Sequence, residues 1–202
     1  MKPVRPQRAT IAILVFVALM MAGPASAHIG TGLPGGFVSG FAHPLSGFDH
    51  LLAMVAVGIW GAFLGRPLIF ALPVIFPTVM AGGAVLGMAH TPMPPVEIGI
   101  ALSVLGLGAL IAFAVKAPIW VACLIVGAFA LFHGYAHGAE LPSAADPIGY
   151  AVGFVLATGL LHVAGIGIGT LNDRPGGMIV TRGVGGLIAA TGVYFLYVAM
   201  IR

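Results

Sequence analysis

Apolar residues in this chain fall into long unbroken runs, with polar residues confined to short stretches between them. Six such runs cover residues 44–65, 68–89, 96–115, 118–138, 148–170 and 183–201. Each is about the twenty residues that a helix needs to cross the hydrocarbon core of a bilayer. Backbone polar groups cannot be left unsatisfied in lipid, so the pattern predicts six helices and no strands. The links Arg66-Pro67, residues 90–95 and Lys116-Ala117 are very short, which predicts antiparallel neighbours in a compact bundle. Pro73 and Pro77 fall inside the second run and predict a kink there. Small residues four apart recur at Gly61/Gly65, Gly83/Gly87, Gly134/Gly138 and Gly149/Gly153. Such pairs let helix backbones approach closely.

Ahead of these runs, Lys2, Arg5 and Arg8 precede a shorter apolar stretch at 11–22, and Ala25-Ser26-Ala27 follows it. That order reads as a secretory signal peptide, residues 1–27, leaving 28–202 as a six-helix transmembrane domain. Cleavage after Ala27 makes His28 the mature N-terminus, where its amine and imidazole can chelate one ion together. Composition agrees with the membrane reading: 60 % of residues are hydrophobic and 6 % charged, with mean hydropathy +1.13. Soluble domains carry about 25 % charge. The net charge of +3 is scattered, with no basic cluster to engage nucleic acid. The single Cys123 excludes an internal disulfide and a Cys-rich zinc or iron–sulfur site. With the mature N-terminus outside, Arg66, Lys116, Arg174 and Arg182 fall on the inner side, and Arg202, Glu97, Glu140 and Asp146 on the outer. This satisfies the positive-inside rule and predicts a multi-pass protein of the bacterial inner membrane with a periplasmic mature N-terminus.

Against so little charge, the ionisable residues inside the apolar runs stand out. Such groups are expensive in lipid and are normally paired, ion-bound or facing a wet cavity. His43, Asp49 and His50 stand at the head of the first run. His43 precedes a proline, which predicts a position outside or capping the helix. On a regular helix His43 and His50 would be about 10 Å apart along the axis. They are then successive stations, unless the chain unwinds near Ser46-Gly47. Met54 lies one turn below His50 and could be a soft ligand, although packing is the more ordinary role for it. His133 and His137 share a face of the fourth span, within reach of a single ion, and Glu140 extends that stripe outward. His162 lies deeper, about 20 Å from the outer end of the fifth span, with Thr158 one turn above it. The candidate metal residues are thus His43, Asp49, His50, His133, His137 and His162, with His28, Met54 and Glu140 as weaker ones. His90 and Glu97 sit near the outer mouth as loop residues. Imidazoles with one or two carboxylates suit Ni²⁺, Co²⁺, Zn²⁺ or Cu²⁺ rather than Mg²⁺, Ca²⁺ or Cu⁺. Their concentration in the outer half suits capture outside and passage inward.

Three motifs carry a resemblance that spans the mature chain. They are His43-Pro44-x2-Gly47-x-Asp49-His50-x3-Met54 followed by Ala56-Val57-Gly58-Ile59-Trp60, then Phe132-His133-Gly134-x-Ala136-His137-Gly138-x-Glu140, then Ala157-Thr158-x2-Leu161-His162-x2-Gly165. In these the chain resembles the HupE/UreJ hydrogenase and urease accessory proteins, regarded as nickel or cobalt permeases. The resemblance implies uptake of Ni²⁺, or Co²⁺, toward hydrogenase or urease maturation proteins. One departure is Tyr135, where members commonly have a third histidine; by periodicity it faces away from the His133/His137 stripe. The residues alone leave other readings open. One is an intramembrane hydrolase using Ser46 and a zinc site. Another is a haem-binding electron carrier. The last is an accessory protein that binds metal without moving it. No Walker loop is present, so the chain itself is not read as an ATPase or other enzyme.

Overall fold

A computed structural model of the chain describes residues 36–140 and 146–201, with the Glu140 side chain outside that description. The expected signal peptide, His28 and Arg202 therefore lie outside the described residues, among which every regular element is helical. In order these are α1 (Phe37–Ser46), α2 (Phe48–Leu64), α3 (Leu68–Met88), α4 (Val96–Ala112), α5 (Ile119–Glu140), α6 (Pro147–Gly169), a 3₁₀ turn (Thr170–Asp173) and α7 (Gly177–Ile201). The helices α3, α5, α6 and α7 are long and apolar enough to cross a membrane, and α1 with α2 makes a fifth such span if the bent pair is counted as one. With 17 residues, α4 is apolar but shorter. The chain is an all-helical, multi-pass membrane protein.

All six predicted segments are helical, but three of them differ from the expected form. The first is not a single rod from residue 44. Helix begins at Phe37 and breaks at Gly47, where the backbone is extended (φ −88°, ψ 107°), and the two halves meet at 83°. The third ends at Ala112, because Ala114 turns into the left-handed region (φ 52°). The last begins at Gly177, six residues earlier than expected, with Arg182 inside it. Arg182 is tolerated there because its Nε donates to the carbonyl of Ala112 at 2.7 Å, which satisfies the C-terminal end of α4. The third helix of the chain, α3, runs continuously through Pro73 and Pro77.

The closest helix pairs are α3 with α5, α4 with α7, and both α1 and α2 with α6. Helices joined by the short links also touch, but less extensively than these pairs. Small residues explain the difference. Across α3 and α5 the Gly83/Gly87 and Gly134/Gly138 pairs face each other. A side chain on Gly83 would strike the carbonyl of Leu131, and one on Gly134 that of Met80. Gly58 of α2 and Gly165 of α6 likewise abut the carbonyls of His162 and Val55. Without hydrophobic force between helices in lipid, such backbone contact is what selects partners. Between the pairs lies an apolar core that includes Leu52, Met54, Trp60, Leu72, Phe76, Leu107 and Ile111. Trp60 donates its indole N–H to the carbonyl of Val115 at 3.1 Å, tying α2 to the link after α4.

Candidate metal centre

The break at Gly47 builds the site. His43 and Pro44 lie within α1 near its end rather than outside a helix, and both are buried. The 83° bend then folds His43 back toward His50, so that the two ring centres are 6.4 Å apart. Of the two expectations for this segment, the chain does break at Ser46-Gly47, so the straight-helix estimate of about 10 Å and the reading of His43 as a separate station do not apply. Seven residues of helix separate two rings only if the axis is straight, and the extended Gly47 ends that condition. Ser46 Oγ donates to the His43 carbonyl at 2.8 Å, one of the bonds that close the end of α1.

Asp49 sits in the first turn of α2, where the helix dipole favours a carboxylate. Its Oδ1 accepts from the backbone N–H of His50 at 2.8 Å and lies 2.9 Å from His50 Nδ1. A carboxylate can only accept, so Nδ1 carries the proton and Nε2 of the neutral ring carries the lone pair. The same logic holds on α5. His133 Nδ1 is 2.9 Å from the carbonyl of Phe129, one turn back, which also leaves the lone pair on Nε2. These are the outer partners that orient metal-ligating histidines in general.

The expected His133/His137 stripe meets α1 and α2 here. His50 lies with its ring centre 4.6 Å from that of His133 and 4.5 Å from that of His137, and His43 lies 4.9 Å from His137. Two imidazoles sharing one ion have centres about 5 Å apart, given metal–nitrogen bonds of about 2 Å. The spacing suits shared coordination. The rings meet edge to face at 62–79°. Among the described residues, however, no group of three or more His, Cys, Asp or Glu side chains is placed to hold a metal ion as it stands. Ligation requires the rings to turn. All four are buried, His50 and His133 completely, while Asp49 keeps about a fifth of its side chain exposed.

His162 stands apart. It is fully buried, and its ring centre is 5.5 Å from that of Phe76, which is itself 5.5 Å from that of His133. Met54 is buried within the apolar core. His90 is exposed in the link after α3 with φ 49°, and Glu97 is exposed in the first turn of α4. Glu140 ends α5. Tyr135 is half-buried, with its backbone against Gly83 and Gly87 of α3. Three aromatic residues of this region were not singled out in the sequence. Phe154 lies 4.3 Å from His137, Tyr150 lies 5.8 Å from His43, and Phe76 lies between the two histidine levels. The signal was present as the four-residue spacing of Tyr150, Phe154, Thr158 and His162 along one helix face.

The family model for the HupE / UreJ protein matches residues 14–195. Protein HupE of Rhizobium leguminosarum bv. viciae is 48 % identical over 179 residues, which cover 89 % of this chain and 93 % of that protein. No solved structure matches the chain. The matched region takes in every described helix except the last residues of α7, and with them the whole histidine cluster. The chain belongs to the HupE/UreJ family.

Proposed function

We propose that this protein is a secondary permease of the bacterial inner membrane that takes up Ni²⁺, or Co²⁺, for hydrogenase or urease maturation. The cargo is bound by His50 with Asp49, His133 and His137, and His43 joins them across the break at Gly47. The observation that carries the reading is the burial of four imidazoles with ring centres 4.5–6.4 Å apart, two of them held by acceptors at Nδ1. So many titratable rings in an apolar interior are costly unless a cation repays their desolvation. Family membership supports the same direction, since HupE/UreJ proteins are regarded as nickel or cobalt permeases. The rings hold the metal with neutral nitrogen and a single nearby carboxylate, a set that binds late first-row divalent ions while leaving Mg²⁺ and Ca²⁺ in water.

On this reading the N-terminal side of α2 faces the periplasm and the four inner bases face the cytoplasm. A divalent cation moving inward gains about 4–5 kcal/mol per 100 mV of inside-negative potential, so no nucleotide is needed. In a host lacking its own nickel uptake, His50→Ala and Asp49→Ala are expected to abolish ⁶³Ni accumulation at low external nickel and nickel-dependent enzyme activity, with activity rescued by high external nickel. Wild-type ⁶³Ni accumulation by both variants would sink the assignment.

A further inference from the structure

Helix α6 carries Tyr150, Phe154, Thr158 and His162 at intervals of four, so that they stack along one face. All four are buried. The first two close the histidine cluster, Tyr150 against His43 and Phe154 against both His43 and His137. The last two continue the stripe inward, past the level that the cluster occupies.

Those two residues are anomalous. Thr158 Oγ1 and both ring nitrogens of His162 are buried with no hydrogen-bond partner among the described residues. Other helical threonines of this chain behave as threonines in lipid do and donate four residues back: Thr78 to Val74, Thr181 to Gly177, Thr191 to Leu187. Thr158 does not. His133 satisfies Nδ1 on the carbonyl one turn back, and His162 does not. A buried histidine kept for packing would take such a bond, because an unpartnered polar atom in a dry interior is costly. Thr158 and His162 thus place three unpartnered polar atoms on adjacent turns of one helix face, a donor set suited to a ligand.

Phe76 divides this pair from the cluster. Its ring centre lies 5.5 Å from those of His133 and His162 alike, so it fills the space between the two levels. It sits on α3 between Pro73 and Pro77, neither of which has an N–H to brace the helix there. Backbone contact of Gly58 with His162 closes the α2 side.

We propose that His162 and Thr158 form a second station for the divalent transition-metal cation, inward of the histidine cluster and partitioned from it by the Phe76 ring. The proposal rests on the transport reading above. One imidazole and one hydroxyl make a weak donor set, which water completes. A weak inner station after a stronger outer one lets the ion leave toward the cytoplasm rather than remain bound.

The test uses the full-length protein in detergent and in proteoliposomes, with Ni²⁺ as the probe and His162→Leu, His162→Gln and Thr158→Val as variants. Folded yield and thermal unfolding are expected to match wild type, because these changes remove or replace unpartnered polar atoms. Equilibrium Ni²⁺ binding, which reads the outer cluster, is expected to be unchanged in all three. Uptake at saturating Ni²⁺ is expected to fall at least tenfold in His162→Leu and severalfold in Thr158→Val. Wild-type uptake by folded His162→Leu and Thr158→Val would overturn the inner station and leave the outer cluster standing. Loss of equilibrium binding in His162→Leu, as in His50→Ala, would put His162 in the outer site and overturn the two-station arrangement. Failure of both His162 variants to fold would make the residue structural and overturn it as well. Absence of uptake by the wild-type protein would instead remove the transport reading itself.

Discussion

Asp49 and His50 are adjacent residues, yet they do different work because of where the helix starts. Asp49 lies in the first turn, partly exposed, with one oxygen accepting from the backbone N–H and the ring Nδ1–H of its neighbour. His50 is fully buried and turns its ring toward α5. The carboxylate fixes the ring's tautomer and orientation. Asp49→Asn keeps an acceptor oxygen but loses the charge. It is expected to weaken apparent Ni²⁺ affinity about 10- to 100-fold while the amount of folded protein in the membrane stays the same. The measurement is KM against maximal rate for ⁶³Ni uptake; an unchanged KM would show that the carboxylate does not tune the ring. The types of these residues were legible in the sequence because ionisable groups in apolar runs are rare. Their convergence was legible only as an alternative: Ser46-Gly47 marked where the chain could unwind, but nothing in composition or period gives the bend of 83° that brings His43 to His50.

At the scale of helices, glycines select partners and so set where the histidines of the cluster stand. Gly83 and its neighbour Gly82 make a controlled pair. A side chain on Gly83 would meet the Leu131 carbonyl and the backbone of Gly134 and Tyr135, whereas one on Gly82 would meet nothing within 4 Å. Gly83→Leu must part α3 from α5 beside His133. Overpacking of this kind costs about 1–3 kcal/mol and moves the ring whose position the cluster needs. Gly82→Leu faces open space and replaces a poor helix former, a gain of up to about 1 kcal/mol. Gly83→Leu is therefore expected to lower the unfolding temperature in detergent and the uptake of nickel, and Gly82→Leu to lower neither. Equal effects of the two would contradict this packing. The small-x3-small pairs were visible in the sequence as pairs, and Gly83/Gly87 and Gly134/Gly138 do meet. Gly65 is different: its φ of 78° belongs to a turn, where the same residue type answers a backbone demand instead.

For the whole molecule, the relevant quantity is the energy available to a cation crossing it. On the proposed orientation an inside-negative potential alone drives accumulation, by about three powers of ten per 100 mV at equilibrium. Proteoliposomes given a potassium-diffusion potential and no nucleotide are expected to concentrate Ni²⁺ when the interior is negative and to stop when the potential is collapsed. Accumulation that requires ATP under those conditions would show that the chain is not a self-sufficient permease. The proposed path draws on four helices: the break between α1 and α2, the histidine stripe of α5, and the face of α6 from Tyr150 to His162. No single element contains it.

The long apolar runs by themselves determined that the chain is helical and spans a membrane, because lipid allows no other use for twenty apolar residues in a row. The scarcity of charge likewise determined which residues to watch. Helix period put His133 beside His137, a local relation that three to four residues decide. The tertiary structure decided everything that depends on the distance between separate helices. It started α1 at Phe37, where six apolar and small residues ahead of a proline carried no helix signal, and it put His43 inside the helix that Pro44 was expected to delimit. It paired α2 with α6 and α3 with α5 through close glycine–backbone contacts between helices distant in sequence. It also set Phe76 between two levels of histidine. Those facts follow from which backbones can approach closest in lipid, a property of pairs of helices that no one stretch of sequence carries.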